Sequence, residues 1–403
     1  MLRNLSLIIL VLALYGEVNG DSKGNPEAFL DMSGMIVYNG YPMETHIVVT
    51  EDGYALTVHR ITHGRGKRNS TDCDKGVVLL QHGTLGSSII WVFSGKDNAL
   101  AYMLADQGYD VWLPNVRGNE YSTMYTPQRD PRTREFWDFS LDEGGVYDLP
   151  AVIDYILEKT GKEKIIYVGH SMGTTVFYIM MSQRPEYNEK ITVMISLGAI
   201  AYASHSKKFM GNVIAYLSDP VSKLLNLIGL NHIKPFPHAL SKIGPILCFE
   251  MPVISYICQK FLTSVTEVDL QGINQTLIPV YLNNANAGAP MKQMLHYVQL
   301  YKSGRFCQYD YGKSENLKRY NSTQPPSYNI SKTEVPVAIF YAEADTTADV
   351  TDVMKLYNEL PNVIKLQKVA QKGFNHLDFV THKDIATLVN KPVIDILQPY
   401  CKQ

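Results

Sequence analysis

The chain carries no marked excess of charge of either sign, no internal repeat and no low-complexity tract. Past its first twenty residues it also holds no uninterrupted apolar run fit to span a bilayer. A formal net charge of −2 over 403 residues leaves no broad basic field for nucleic acid and no reason to expect a strongly acidic partner. Cysteine is scarce and odd in number, with Cys73, Cys248, Cys258, Cys307 and Cys401. At least one cysteine must therefore stay free or pair between chains. His82 could be taken for a metal ligand, but it has no second ligand at useful spacing, so neither metal nor cofactor is expected. What the chain does have is 45% hydrophobic residues, enough for a large core. Its length suits one large α/β domain carrying an insertion, or two ordinary domains.

The N-terminus reads as a removable leader. Arg3 precedes the apolar run Leu5 to Tyr15, which ends at "GEVNG" with small residues at Val18 and Gly20. A charged start, a short apolar stretch and a small-residue cleavage site make residues 1–20 a secretory signal peptide. The run is too short to cross roughly 30 Å of hydrocarbon, so no transmembrane anchor is expected in the mature chain. Secretion permits glycan at four Asn-x-Ser/Thr sequons, Asn69, Asn274, Asn321 and Asn329, all in polar, turn-rich stretches. It also permits a disulfide. Cys248 and Cys258 are neighbours in sequence and are expected to form one, with two buried thiols as the alternative.

From His46 the pattern becomes regular. "HIVVTEDGYALTVHRI" alternates about Asp52-Gly53, a hairpin signal. Apolar strands then alternate with helices: "GVVLLQHG", a helix near Asp97–Gln107, "YDVWLPNVRG", and a helix in "YDLPAVIDYILEKTG" with Pro150 in its first turn and Gly161 past its end. Strand Lys164–Gly169, a helix from Ser171 to about Arg184 and strand "ITVMISLGAI" follow. Near-continuous apolar strands separated by helices imply a mostly parallel sheet covered on both faces. The rhythm stops near Tyr202 and resumes at "VPVAIFYAEAD", a helix near Thr351–Leu360, strand "VIKLQKV" and a C-terminal helix. The expected organisation is a split core, residues 21–202 and 330–403, with a helical cap at 203–329. That cap would sit over the carboxyl ends of the strands, where open α/β sheets place their ligands.

The chemistry starts at "VGHSMGTT". Gly169-His170-Ser171-Met172-Gly173 matches G-x-S-x-G, a pattern that composition alone yields roughly one time in seven for a chain this long. The setting makes it specific, since an apolar strand precedes it and a helix follows. A sharp turn there lifts the serine Oγ clear of the backbone, and flanking glycines let strand and helix approach. A serine hydroxyl needs a base to take its proton and an acid to orient that base, in the order Ser, Asp/Glu, His. Asp345 follows strand "VPVAIFYAEA" directly, and His376 lies in the loop "KGFNHLDF" after the last strand. Asp349 and Asp352 read as first-turn helix residues and His382 lies further on, so Ser171, Asp345 and His376 are assigned nucleophile, acid and base. The oxyanion hole needs the N–H after the nucleophile, Met172, and one from the loop after an early strand, Thr84. A carboxylate at the elbow would be needed for dehalogenase or epoxide hydrolase chemistry, and Ser171 excludes both.

Cap segments "VSKLLNLIGL" and "KIGPILCFEMPVISYICQKFL" are apolar, and Pro245, Glu250 and Pro252 interrupt the second. They form the cap's own core, line an acyl-chain pocket or meet a lipid–water interface, and these uses are compatible.

With these residues in view, the chain resembles the acid lipase family of gastric and lysosomal lipases, within it the insect secreted lipases. The similarity runs from about Gly34 to Tyr400 and includes "LLQHG", "NVRGN", "FWDFSLDEGGVYDLPAVIDYI", "YVGHSMGTT", "MLHYVQLYKSGRFCQYDYG", "QPPSYN" and "NHLDF". The resemblance implies an α/β-hydrolase fold with a cap, a triad at Ser171, Asp345 and His376, and oxyanion N–H groups at Thr84 and Met172. It also implies a disulfide in the cap, a secreted or lysosomal destination, and hydrolysis of triacylglycerols or cholesteryl esters, often at acidic pH. The chain departs from the vertebrate pattern at Met172, where glutamine is usual, and at Thr84, where leucine is usual. Ala342 and Thr347 likewise replace a glycine and a leucine around the acid. Two alternatives stay open on the same scaffold: a carboxylesterase for short soluble esters, and a non-catalytic lipid-binding protein.

Overall fold

A computed structural model describes residues 26–66, 75–206, several positions between 208 and 214, 232–233, 272–284 and 287–400. The leader, Asn69, Cys73, Cys248, Cys258 and Cys401 lie outside the described residues, and the expected disulfide with them. The hairpin about Asp52-Gly53 forms. Strands β1 (Glu44–Val49) and β2 (Ala55–Ile61) pair antiparallel with Val49 opposite Ala55. Strands β3 (Val77–Gln81), β4 (Asp110–Pro114), β5 (Ile165–His170), β6 (Ile191–Leu197), β7 (Val337–Tyr341) and β8 (Val363–Lys368) complete the sheet. Its order is β1-β2-β4-β3-β5-β6-β7-β8. Only β1 and the β2–β4 junction are antiparallel, and every pair from β4 to β8 is parallel.

Side-chain alternation along each strand divides the interior into two layers. Val77, Leu79, Tyr167, Met194 and Ile339 point to one face, where they pack with helices α2 (Leu149–Thr160), α3 (Met172–Gln183) and α5 (Val350–Glu359). Val78, Leu80, Val168, Ile195 and Phe340 point to the other, against α1 (Leu100–Asp106) and the C-terminal helix. Strands covered on both sides must be apolar at every position, which is why they read as continuous runs rather than alternating ones. Helix α2 stops where Gly161 turns left-handed, φ 69°, and its N–H closes on the Leu157 carbonyl.

Helix α4 (Met291–Ser303) lies within the segment read as a cap. Its Tyr297 and Leu300, with Phe306 and Tyr328 beyond it, are buried in the same apolar cluster as α3. Asp142, within "FWDFSLDEGG", gathers this region. It accepts hydrogen bonds from the Tyr328 hydroxyl and, at 3.1 Å, from the Tyr309 N–H. A capping box between Ser140 and Glu143 holds its turn.

Arg117, from "NVRGN", is buried beneath the hairpin. Its guanidinium reaches Asp52 at 2.6 Å and Asp148 at 2.6 Å, tying the β1–β2 turn to the start of α2. It also lies 4.1 Å from the centre of the Tyr54 ring. Removing the cation leaves the buried Asp148 carboxylate unpaired and Asp52 with only Arg129, at 3.7 Å. Arg117→Met is expected to destabilise the fold by about 3–5 kcal/mol, read as a lowered midpoint in chemical denaturation.

Candidate active site

Ser171 stands at the junction of β5 and α3 with φ 55° and ψ −119°, a left-handed conformation that a side chain rarely accepts. Its N–H donates to the Leu197 carbonyl at 3.1 Å, and its own carbonyl accepts from the Thr174 N–H at 2.8 Å and the Thr174 hydroxyl at 2.6 Å. The flanking glycines serve close approach. A Cβ on Gly173 would lie 2.4 Å from the Gln81 carbonyl oxygen, and one on Gly169 would lie 2.8 Å from the Gly173 backbone. So β3, the elbow and α3 touch backbone to backbone there.

Asp345 and His376 meet at the ends of two different strands, four residues beyond β7 and eight beyond β8. His376 Nδ1 and Asp345 Oδ2 are 2.9 Å apart, and both residues are buried. The other carboxylate oxygen accepts from the Thr347 and Ala348 N–H groups at 2.9 and 2.7 Å. With Nδ1 facing a carboxylate oxygen, the natural donor in this contact is Nδ1–H. Nε2 is then left with its lone pair, and among the described residues it has no hydrogen-bond partner. Gly198, at φ 56°, makes the room: a Cβ there would lie 3.1 Å from the imidazole. Because the Ser171 N–H binds Leu197 and the ring of His376 packs on Gly198, the serine and the imidazole share one corner of β6.

Two further histidines frame this corner. His170 Nε2 lies 3.0 Å from the His376 carbonyl oxygen, and the two rings are 5.0 Å apart, centre to centre. Burial and the neighbouring His376 push the His170 imidazole down to about 3. It is therefore neutral and donates through Nε2 to the backbone of His376. His82 is pushed down to about 4 by burial and donates through Nδ1 to the Gly83 carbonyl at 2.8 Å. Its Nε2 accepts the Val116 N–H at 3.2 Å. This is a structural part. It steadies the loop that follows β3, where a Cβ on Gly83 would lie 2.9 Å from the Ser171 Cβ. Thr84, next in that loop, is half-buried, and Met172 is the first residue of α3, where N–H groups lack intrahelical acceptors.

A second serine–histidine contact exists, Ser88 Oγ to His59 Nδ1 at 3.0 Å. Ser88 is fully enclosed, and the group completing that cluster is the neutral Asn115 amide at 3.1 Å. Among the described residues no carboxylate is hydrogen-bonded to that ring, and the enclosed cluster holds the turn after β3.

Two family models match this chain: the alpha/beta hydrolase fold over residues 76–245, and the partial alpha/beta-hydrolase lipase region over residues 32–95. Lipase member K of Homo sapiens is 37% identical over 98% of this chain and 97% of its own length. Gastric triacylglycerol lipase of Bos taurus is 37% identical over 93% of this chain and 92% of its own. Lipase 3 of Drosophila melanogaster is 37% identical, covering 92% and 93%. The chain belongs to the acid lipase family. Solved structures share the fold of this acid lipase at lower identity. One from Sulfolobus solfataricus has a TM-score of 0.56 at 16% identity, covering 88% of this chain and 99% of its own.

The acid lipase site includes residues that the motif alone does not mark. Gly198 is legible only as a glycine after an apolar strand, and its missing Cβ is what admits the imidazole. His170 looked like a spacer inside G-x-S-x-G. Among the described residues no group of three or more His, Cys, Asp or Glu is arranged to hold a metal.

Buried neutral histidines make stability depend on pH. Between about 6.5 and about 3 the unfolded chain takes up a proton at position 170 that the folded chain refuses, so stability is lost as pH falls through that window. His170→Gln is expected to flatten that dependence by about 1.4 kcal/mol per pH unit near pH 5, measured by chemical denaturation at pH 4.5 and 5.5.

Proposed function

We propose that this protein is a secreted serine lipase that cleaves carboxylic esters of neutral lipids through an acyl-enzyme on Ser171. The observation that carries the reading is the His376–Asp345 pair, with a free Nε2, at the same corner of β6 as a serine held in a left-handed turn. His376 Nε2 takes the Ser171 proton as Oγ attacks the ester carbonyl, while Asp345 orients the ring and balances the imidazolium. The charge that develops on the carbonyl oxygen is received by the Met172 N–H at the head of α3 and the Thr84 N–H in the loop after β3. Collapse expels the alcohol, which takes its proton from His376. Water, activated by the same base, then releases the fatty acid.

Relatives named gastric triacylglycerol lipase favour neutral glycerides as the substrate class. The apolar composition of the 203–329 segment agrees, and we assign that segment as the cap over Ser171. Cholesteryl esters are the second substrate class the fold would accept. A lipid–water interface is the expected partner, and among the described residues no helix is long and apolar enough to cross a membrane. The leader at residues 1–20 supports export, to the outside or to a lysosome. Asn274, Asn321 and Asn329 are exposed, as glycan would require.

Ser171→Ala is expected to lower kcat by about a millionfold, and a fluorophosphonate should label the parent protein at Ser171 and not the variant. Asp345→Asn should lower kcat about ten-thousandfold by leaving the ring in the wrong tautomer. Rates across acyl lengths, with and without an emulsion and on both sides of neutral pH, separate the readings. Preference for short soluble esters would make the protein a carboxylesterase, and unchanged turnover in Ser171→Ala would sink the serine mechanism.

A further inference from the structure

Among the described residues, three other than glycine have a positive φ: Asn321, Ser171 and Leu85. Asn321 closes a helix, a place where asparagine is at home. Ser171 is the elbow. Leu85, at φ 63°, shares neither reason, since an apolar side chain gains nothing locally from a left-handed backbone. Such an outlier persists only where its surroundings over-determine it.

Leu85 is the third residue of a four-residue turn, closed by the Gly86 N–H on the Gly83 carbonyl at 3.3 Å. A positive φ at that position normally selects glycine or asparagine. The turn abuts the elbow, where a Cβ on Gly83 would lie 2.9 Å from the Ser171 Cβ. Its two flanks are fixed by the segment after β4. His82 Nε2 accepts the Val116 N–H at 3.2 Å, and the Ser88 N–H donates to Asn115 Oδ1 at 3.0 Å. Within the turn, the glycines at 83 and 86 offer no side chain to pack. Leu85 does. Half-buried, it packs against an apolar cluster of Val213, Ala289, Met291, Met294 and Val298, the last three on α4. This cluster is separate from the two layers that cover the sheet.

We infer that Leu85 is a positioning residue of the oxyanion hole: seated against α4, its side chain holds the turn in its strained form and fixes the Thr84 N–H relative to Ser171. The inference rests on the serine mechanism, and on Thr84 as a donor, both proposed above. Two N–H donors on separate elements stabilise an oxyanion only when their spacing is set beforehand. Met172 is set by α3, whereas Thr84 sits in a turn whose backbone would relax to a commoner conformation without the anchor. Glycine at position 85 would remove the strain, so the leucine serves the anchor at the expense of the backbone. The catalytic spacing thereby depends on α4, outside the elbow itself.

The test uses the full-length protein, soluble esters of increasing acyl length and a small alkyl boronic acid as a transition-state analogue. Leu85→Ala keeps the strained backbone and loses the anchor. It is expected to lower kcat about tenfold with KM within about twofold, less than the hundredfold or more that losing an oxyanion donor costs. Boronate affinity should fall by the same factor, and the loss should be equal at every acyl length. Leu85→Gly separates positioning from stability. Glycine accepts the left-handed φ freely, so its denaturation midpoint should lie above that of Leu85→Ala while its kcat is at least as low. Met294→Ala opens the cluster from the helix side and should cost less on the Leu85→Ala background than on the parent. Four results would each overturn the inference: unchanged kcat and boronate affinity in Leu85→Ala, a Leu85→Gly faster than Leu85→Ala, a loss that grows with acyl length, or losses that multiply in the double variant. If Leu85→Ala does not fold, Leu85→Gly, with its backbone relieved, carries the kinetic comparison. Ser171→Ala, run alongside, separates the two levels: activity surviving there defeats the serine mechanism, whereas its loss beside unaffected Leu85 variants defeats this inference alone.

Discussion

The molecule is organised around one unfavourable backbone conformation. Ser171 is forced left-handed where β5 gives way to α3, at a cost of order 1–3 kcal/mol. Such strain persists only where the surroundings over-determine it. Here the Ser171 N–H is bound to Leu197, and its carbonyl is bound twice by Thr174. Gly173 presses on the Gln81 carbonyl so closely that no side chain fits. The apolar layers on both faces of the sheet are what hold these backbones in contact.

Around that elbow the electrostatics are arranged by burial. His82 and His170 are kept neutral because enclosed surroundings disfavour the charged ring. A neutral imidazole has one donor and one acceptor, so each ring can serve as a fixed bracket: His170 to the His376 carbonyl, and His82 between Gly83 and Val116. Asp345 is held in place by two backbone N–H groups, which leaves one oxygen for His376. Because neutral brackets hold the neighbouring backbone, the second oxygen of Asp345 is left to one ring.

Most of the fold was legible because each strand bears its own signal. The hairpin showed in Asp52-Gly53, and the inner parallel strands β3 to β7 showed as apolar runs, whereas edge strand β8 carries Lys365, Gln367 and Lys368. Ser171, Asp345 and His376 were legible because motif, chain order and strand ends agree on them. Gly198 and Tyr297 were not, since nothing local separates a glycine that admits an imidazole from one that ends a strand. A tyrosine on an amphipathic helix looks the same whether its hydroxyl meets water or a buried threonine. Family motifs such as "FWDFSLDEGG" and "QPPSYN" were visible, but their purpose was not. They meet at Asp142, across a gap in sequence that only folding closes.

By itself the sequence determined what is written in consecutive residues: where strands and helices lie, where a serine must turn sharply, and which acid and base follow in order. Periodicity and backbone sterics act over a few residues, so a linear reading captures them. Tertiary structure alone decided which faces meet, which histidines are neutral and which hydroxyls donate. Those properties depend on enclosure and on partners more than a hundred residues away. Thr175 and Tyr297 are an example: nothing in the neighbourhood of either names the other, and their contact appears only when α3 and α4 pack into one core.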